Sequence, residues 1–97
     1  MPYIEHRERI QFVNSIKDLV SKLSIKNEQG RVIGVSPGNV NYVLFRILVE
    51  SLGLTTDPRY VKINDAMGIL ESVKQEVYRR FAAPYEDKKR EENGDVV

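Results

Sequence analysis

The stretch YVKINDAMGILESVKQEVYRRFAAPYEDKKREENGDVV, residues 60–97, decides the fold of this 97-residue chain. Apolar side chains recur in it at the i, i+3, i+4 and i+7 spacing that places them on one face of an α-helix. The members of this stripe are Ile63, Ala66, Met67, Leu70, Val73, Val77 and Phe81. Pro84 is expected to end or kink the helix, and the charged residues 85–92 after it are expected to form a separate solvated turn or a short helix. The stretch therefore predicts a helix over about 60–83 and a charged tail over 85–97.

Two further helices are predicted upstream of this stretch. The first covers about 5–24, and its apolar stripe consists of Phe12, Val13, Ile16, Leu19, Val20 and Leu23. The second covers 37–52, because Ser36 is a favourable N-cap, Pro37 suits the first helical position and Gly53 suits the end of a helix. Both assignments rest on periodicity that is confirmed at the ends by residues with known terminal preferences.

The segment between these two helices, 25–36, breaks the helical pattern and contains Gly30 and Gly34. It is predicted to be irregular, with room for no more than a short extended run. The whole chain is then one all-α domain, residues 1–97. We expect a small bundle of three main helices with a short charged C-terminal segment.

The predicted second helix is apolar on two sides. One face carries Val40, Val43, Leu44, Ile47 and Leu48, and the other carries Tyr42, Phe45, Val49 and Leu52. A helix that is apolar almost all round is buried in a core or between chains. We therefore expect the first face to pack on the other two helices. The second face is expected to form a homodimer, in which the two chains can intertwine.

Composition excludes several classes of protein. There is no cysteine, so disulfides, thiolate zinc sites and cysteine nucleophiles are excluded. No apolar run approaches the roughly 18 residues that cross a membrane, and the start MPYIEHRERI lacks the apolar middle of a signal peptide. The net charge of +1 provides no field that would recruit nucleic acid or an anionic membrane. The cytoplasm is the expected location, and no cofactor is implied.

A polar seam is predicted beside the stripe of the third helix. Lys74 projects among apolar positions, and Asn64, Glu71 and Tyr78 lie near the same line of the helix. One interpretation is a lysine held by Glu71 in a pocket that binds an anion. The other, which we favour, is a lysine whose methylenes lie on the core while its ammonium group reaches water.

Carboxylates raise the alternative of a small all-α nucleotide hydrolase that uses magnesium. The candidates are Glu50, Asp65, Glu71 and Glu76. Magnesium needs convergent oxygen ligands, but Glu71 and Glu76 are five residues apart and diverge on a helix. Glu76 instead faces Arg80 at i+4, the favourable order for a surface ion pair. The sequence therefore predicts no metal site.

A second alternative is a nucleic-acid-associated protein. The candidate basic patch consists of Arg79, Arg80, Lys88, Lys89 and Arg90. Acidic residues are interleaved with it, and the chain from Glu86 onward has five acidic and three basic residues. Such a mixed run is typical of a solvated face rather than of a phosphate-binding track, so nucleic acid is not the expected partner.

Three motifs carry a resemblance to a known family. MPYI stands at the start, GNVNY at Gly38 to Tyr42, and INDAMGILESVKQEVYRRFAAPYEDKKREENGDV at Ile63 to Val96. The chain resembles an uncharacterised family of short prokaryotic and phage proteins with MPYI, GNLNY and IND-IGVLE-K-E-YRR-APYED-K-NGDV motifs. The resemblance implies a compact helical domain and supplies no catalytic residue. Together these observations favour a small non-enzymatic interaction protein that acts as a homo-oligomer.

Overall fold

The computed structural model describes residues 2–97, and Met1 lies outside the described part. The chain forms four α-helices, one π-turn and two short strands. In chain order these are α1 (His6–Leu23), β1 (Ser24–Lys26), β2 (Val32–Val35), α2 (Pro37–Leu52), α3 (Tyr60–Val77), the π-turn (Tyr78–Ala82) and α4 (Ala83–Asn93). The architecture is mostly helical, which confirms the predicted fold class.

The segment predicted to be irregular, with at most a short extended run, contains two short strands that pair as a β-hairpin, and this pairing was not predicted. β1 and β2 are antiparallel, with Ser24 opposite Val35. The side-chain oxygen of Asn27 accepts hydrogen bonds from the backbone N–H groups of Gln29 (3.0 Å) and Arg31 (2.9 Å). Gly30 closes the turn with a φ of 79°, which a residue with a side chain rarely adopts. The polar turn residues thus join two strands that are too short to show a clear alternation.

The ends of α2 agree with the predicted range of 37–52. Pro37 is the first helical residue, and Ser36 occupies the N-cap position without a side-chain capping bond. Gly53 has a left-handed φ of 65°, and the N–H of Leu54 bonds to the carbonyl of Val49. Gly53 therefore ends the helix as the sequence predicts.

The charged residues after Pro84 are helical, as the alternative of a short helix predicts, but Pro84 does not end the helical backbone. Helical backbone runs from α3 through the π-turn into α4 and ends at Asn93. In the π-turn, the N–H of Ala83 bonds to the carbonyl of Tyr78, five residues back. A proline ring normally collides with the carbonyl four residues before it. The wider turn gives Pro84 room, so the helix continues into the charged segment.

The single chain has almost no interior. Ala66 is the only residue that is buried among the described ones. The Cα radius of gyration is 17.5 Å, against about 12.5 Å for a compact domain of this length. α2 packs against α3, whereas α1 makes no extensive contact with either helix. One chain alone therefore does not form the compact domain that the resemblance implies.

Candidate functional site

An apolar groove lies along the N-terminal half of α2, between that helix and α3. It has a volume of about 620 Å³. Its lining comprises Val35, Pro37, Val40, Asn41, Leu44, Phe45, Leu48 and Leu70. Asn41 is the one polar residue in this lining, and none is charged. A ligand of this groove must therefore be apolar where it touches the walls.

The predicted dimer face of α2 lies beside the groove and shares Phe45 with it. Tyr42 and Phe45 are 58% and 60% exposed, while Val49 and Leu52 are half-buried. In the face expected to pack inside the chain, Leu44 and Ile47 are exposed, whereas Val40, Val43 and Leu48 are half-buried. Both sides of α2 thus present apolar surface to water.

A polar edge limits this apolar surface on one side of α2. Arg46 donates to the carboxylate of Glu50 (2.9 Å) and to the hydroxyl of Tyr42 (2.6 Å). The bond to Glu50 is the main cause of a raised pKa of Arg46, and the bond to Tyr42 adds to it. The hydroxyl of Tyr42 is therefore held at the polar edge, which leaves the ring as a contact surface.

A second cluster ties the two ends of the chain together. The Tyr3 hydroxyl donates to the Glu76 carboxylate and accepts hydrogen bonds from Arg79 and Arg80. Glu76 also accepts from Arg79 (2.8 Å) and from Arg80 (2.6 Å). The Arg80 guanidinium lies 5.8 Å from the centre of the Tyr3 ring. The side chain of Glu76 is only 17% exposed, so this cluster anchors the N-terminal segment on the C-terminal helix.

The electrostatics of this cluster indicate a structural role. The Tyr3 hydroxyl, Arg80 and Arg79, in that order, lower the pKa of Glu76 to about 2. A carboxylate with so low a pKa stays ionised near neutral pH and is a poor general acid or base. The predicted Glu76–Arg80 pair is confirmed. Sequence periodicity missed Tyr3, although the motifs MPYI and E-YRR contain all four members of the cluster.

The predicted polar seam is only partly assembled. Lys74 Nζ lies 3.6 Å from Glu71 Oε2, with side chains 72% and 56% exposed. Gln75 donates to Glu71 (2.9 Å) and is the main cause of a lowered pKa of Glu71, with Lys74 contributing next. Asn64 and Tyr78 are exposed and take no part in this pair. Lys74 is solvated, as the exposure of its side chain shows, although α2 packs against another part of α3.

The candidate basic patch does not form a continuous cationic surface. Arg79 and Arg80 share the carboxylate of Glu76, which offsets one of their two positive charges. Within α4, Lys89 Nζ lies 3.3 Å from Glu92 and Arg90 Nη2 lies 4.0 Å from Asp87, while Lys88 is exposed. Three carboxylates, those of Glu76, Asp87 and Glu92, thus offset part of the positive charge of the patch locally.

The acidic side chains do not converge either. Within residues 2–97, no group of three or more His, Cys, Asp or Glu side chains is placed to hold a metal ion. Nor does any helix of the described chain combine the length and apolarity needed to cross a membrane.

The fold and these surfaces define a small, mostly helical protein whose main surface feature is an uncovered apolar face. The chain belongs to the family described as a domain of unknown function (DUF6899), whose model matches residues 1–96. Membership of an uncharacterised family agrees with the resemblance seen in the sequence. No curated protein and no solved structure matches the chain.

Proposed function

We propose that this chain is a small non-enzymatic interaction protein that works as a homodimer. In the proposed dimer a second copy covers the face of α2 that is formed by Tyr42, Phe45, Val49 and Leu52. The proposal rests on one observation: most of the large apolar side chains of residues 2–97 are exposed, and only Ala66 is buried among these residues.

The amount of exposed surface supports this proposal. The chain exposes 8,562 Å², whereas a compact protein of 11.2 kDa exposes about 5,700 Å². The excess of about 2,900 Å² per chain is several times the roughly 800 Å² that each partner contributes to a standard interface. Surface of this size and apolarity is typical of obligate homodimers, in which the subunits share one core.

A second copy of the chain is the partner that best matches this surface, because the surface is apolar and carries no charge. The apolar face of α2 and the groove beside it offer no charged side chain to a polar ligand. Neither a magnesium-dependent nucleotide hydrolase nor a nucleic-acid-binding protein has a supporting contact in residues 2–97, where acidic groups are dispersed and four of the five residues of the candidate basic patch contact a carboxylate. An apolar surface repeated on each copy is complementary to itself under a twofold axis.

Sedimentation equilibrium of the natural chain tests the proposal. We expect a mass of about twice 11.2 kDa at tens of micromolar. Phe45→Asp places a charge in the proposed interface and should give monomers. Tyr85→Asp is the matched control, because Tyr85 is 62% exposed and lies in the charged helix α4. A monomeric natural chain at these concentrations would refute the proposal.

A further inference from the structure

The apolar stripe of α1 makes no extensive contact with another helix within residues 2–97. Phe12, Val13, Ile16 and Val20 are 48%, 41%, 56% and 55% exposed. An amphipathic helix gains most of its stability by packing its apolar face. The 18 residues of α1 therefore need a surface that the chain does not provide for them.

The groove on α2 is a surface of matching character. It is apolar and opens beside the residue where β2 ends, Val35. α4 is not a suitable occupant, because its residues are mostly charged. The stripe of α1 is apolar, continuous and uncovered, so it has the chemistry that the groove requires.

The hairpin keeps α1 away from the groove of its own chain. Ser24 follows α1 directly and is already in β1, and only Ser36 separates the end of β2 at Val35 from the start of α2 at Pro37. The pairing of Ser24 with Val35 and the Asn27 turn fix the direction in which α1 leaves the hairpin. In that direction α1 meets neither α2 nor α3 extensively.

We infer that the dimer is intertwined, with the α1 stripe of each copy packed in the α2 groove of the other. This inference rests on the proposed homodimer and specifies which surfaces meet. The four side chains of the α2 face can cover at most several hundred Å², far less than the excess of about 2,900 Å². Reciprocal exchange of α1 adds two equivalent contacts, as twofold symmetry requires.

Cross-linking between single-cysteine chains tests the exchange, since the natural chain contains no cysteine. A tagged Leu44→Cys chain is refolded with an untagged chain that carries Val13→Cys, Ile16→Cys or Val20→Cys. A bis-maleimide is then added. Any product that joins tagged and untagged chains is a link between copies. Three positions on the stripe are used so that one variant that fails to fold leaves two others.

The matched controls are Asn14→Cys and Ser21→Cys, which lie on the opposite side of α1. We expect stripe positions to give at least tenfold more mixed product than the controls. Mixed product that is absent or equal for both sides, while the mass remains that of a dimer, would overturn the exchange and leave the homodimer intact. A monomeric mass for the natural chain would overturn both.

Discussion

Replacing Phe45 with alanine isolates the contribution of one side chain to the proposed dimer. Phe45 is 60% exposed in the single chain and lies where the groove meets the outer face of α2. It makes limited contact inside its own chain, so most of its apolar area becomes buried only when a second copy binds. The substitution should therefore weaken association much more than it disturbs the fold of the monomer.

The size of the effect follows from the exposed area. A phenylalanine side chain carries about 170 Å², of which 60% is about 100 Å². At about 25 cal/mol per Å², covering this area stabilises the complex by about 2.5 kcal/mol per chain. Alanine retains a small part of it, so the loss is about 2 kcal/mol per chain and about 4 kcal/mol per dimer. A loss of 4 kcal/mol raises the dissociation constant about a thousandfold.

Sedimentation equilibrium over a range of concentrations measures this dissociation constant. Tyr85→Ala removes an aromatic ring of similar size and exposure from α4, and it should change the constant less than about tenfold. Far-ultraviolet circular dichroism at a concentration where both variants are dimers checks that their helix content is unchanged. Equal constants for the natural chain, Phe45→Ala and Tyr85→Ala would refute the placement of Phe45 in the interface.

Three further predictions concern other contacts. Glu76 has a pKa of about 2 in the folded chain, against an ordinary value of 4.5. Its ionised form therefore stabilises the fold above pH 4.5, and this stabilisation is lost as the pH falls toward 2. In acid titrations monitored by circular dichroism, Glu76→Gln should abolish this pH dependence and Tyr3→Phe should reduce it. Glu71→Ala and Lys74→Met should both leave the thermal midpoint nearly unchanged, because the pair is solvated; a large loss for Glu71→Ala alone would contradict the exposure seen here. Asn27→Ala removes two hydrogen bonds from the hairpin turn and should cost about 1–2 kcal/mol, with faster hydrogen exchange at the Arg31 amide; unchanged exchange would show that the turn does not depend on this side chain.

Periodicity predicted the helices well because it reports which side chains share a face. The bounds of α1 and α2 follow from the stripes and from Pro37 and Gly53. Periodicity did not reveal the hairpin, since three- and four-residue strands are too short to show alternation. Periodicity also did not predict that the helix continues past Pro84, because no residue type in the sequence specifies a π-turn.

The surfaces were harder to predict than the helices. The two apolar faces of α2 were visible in the sequence. How much of each face is exposed depends on the position of α1, and the hairpin determines that position. The Glu76–Arg80 pair was predictable because its members are one turn apart. Tyr3 joins them from 73 residues away in the chain, and spacing rules carry no information over that separation.

The π-turn at Tyr78–Ala82 also sets which way the charged end of the molecule faces. A turn closed by a bond to the fifth residue back holds one residue more than an α-turn. One residue corresponds to about 100° of rotation and about 1.5 Å of rise in an α-helix. A relative that lacks one residue here can form a regular helix and still point α4 in the same direction. The π-turn therefore accommodates one additional residue without changing the direction of α4 relative to α3.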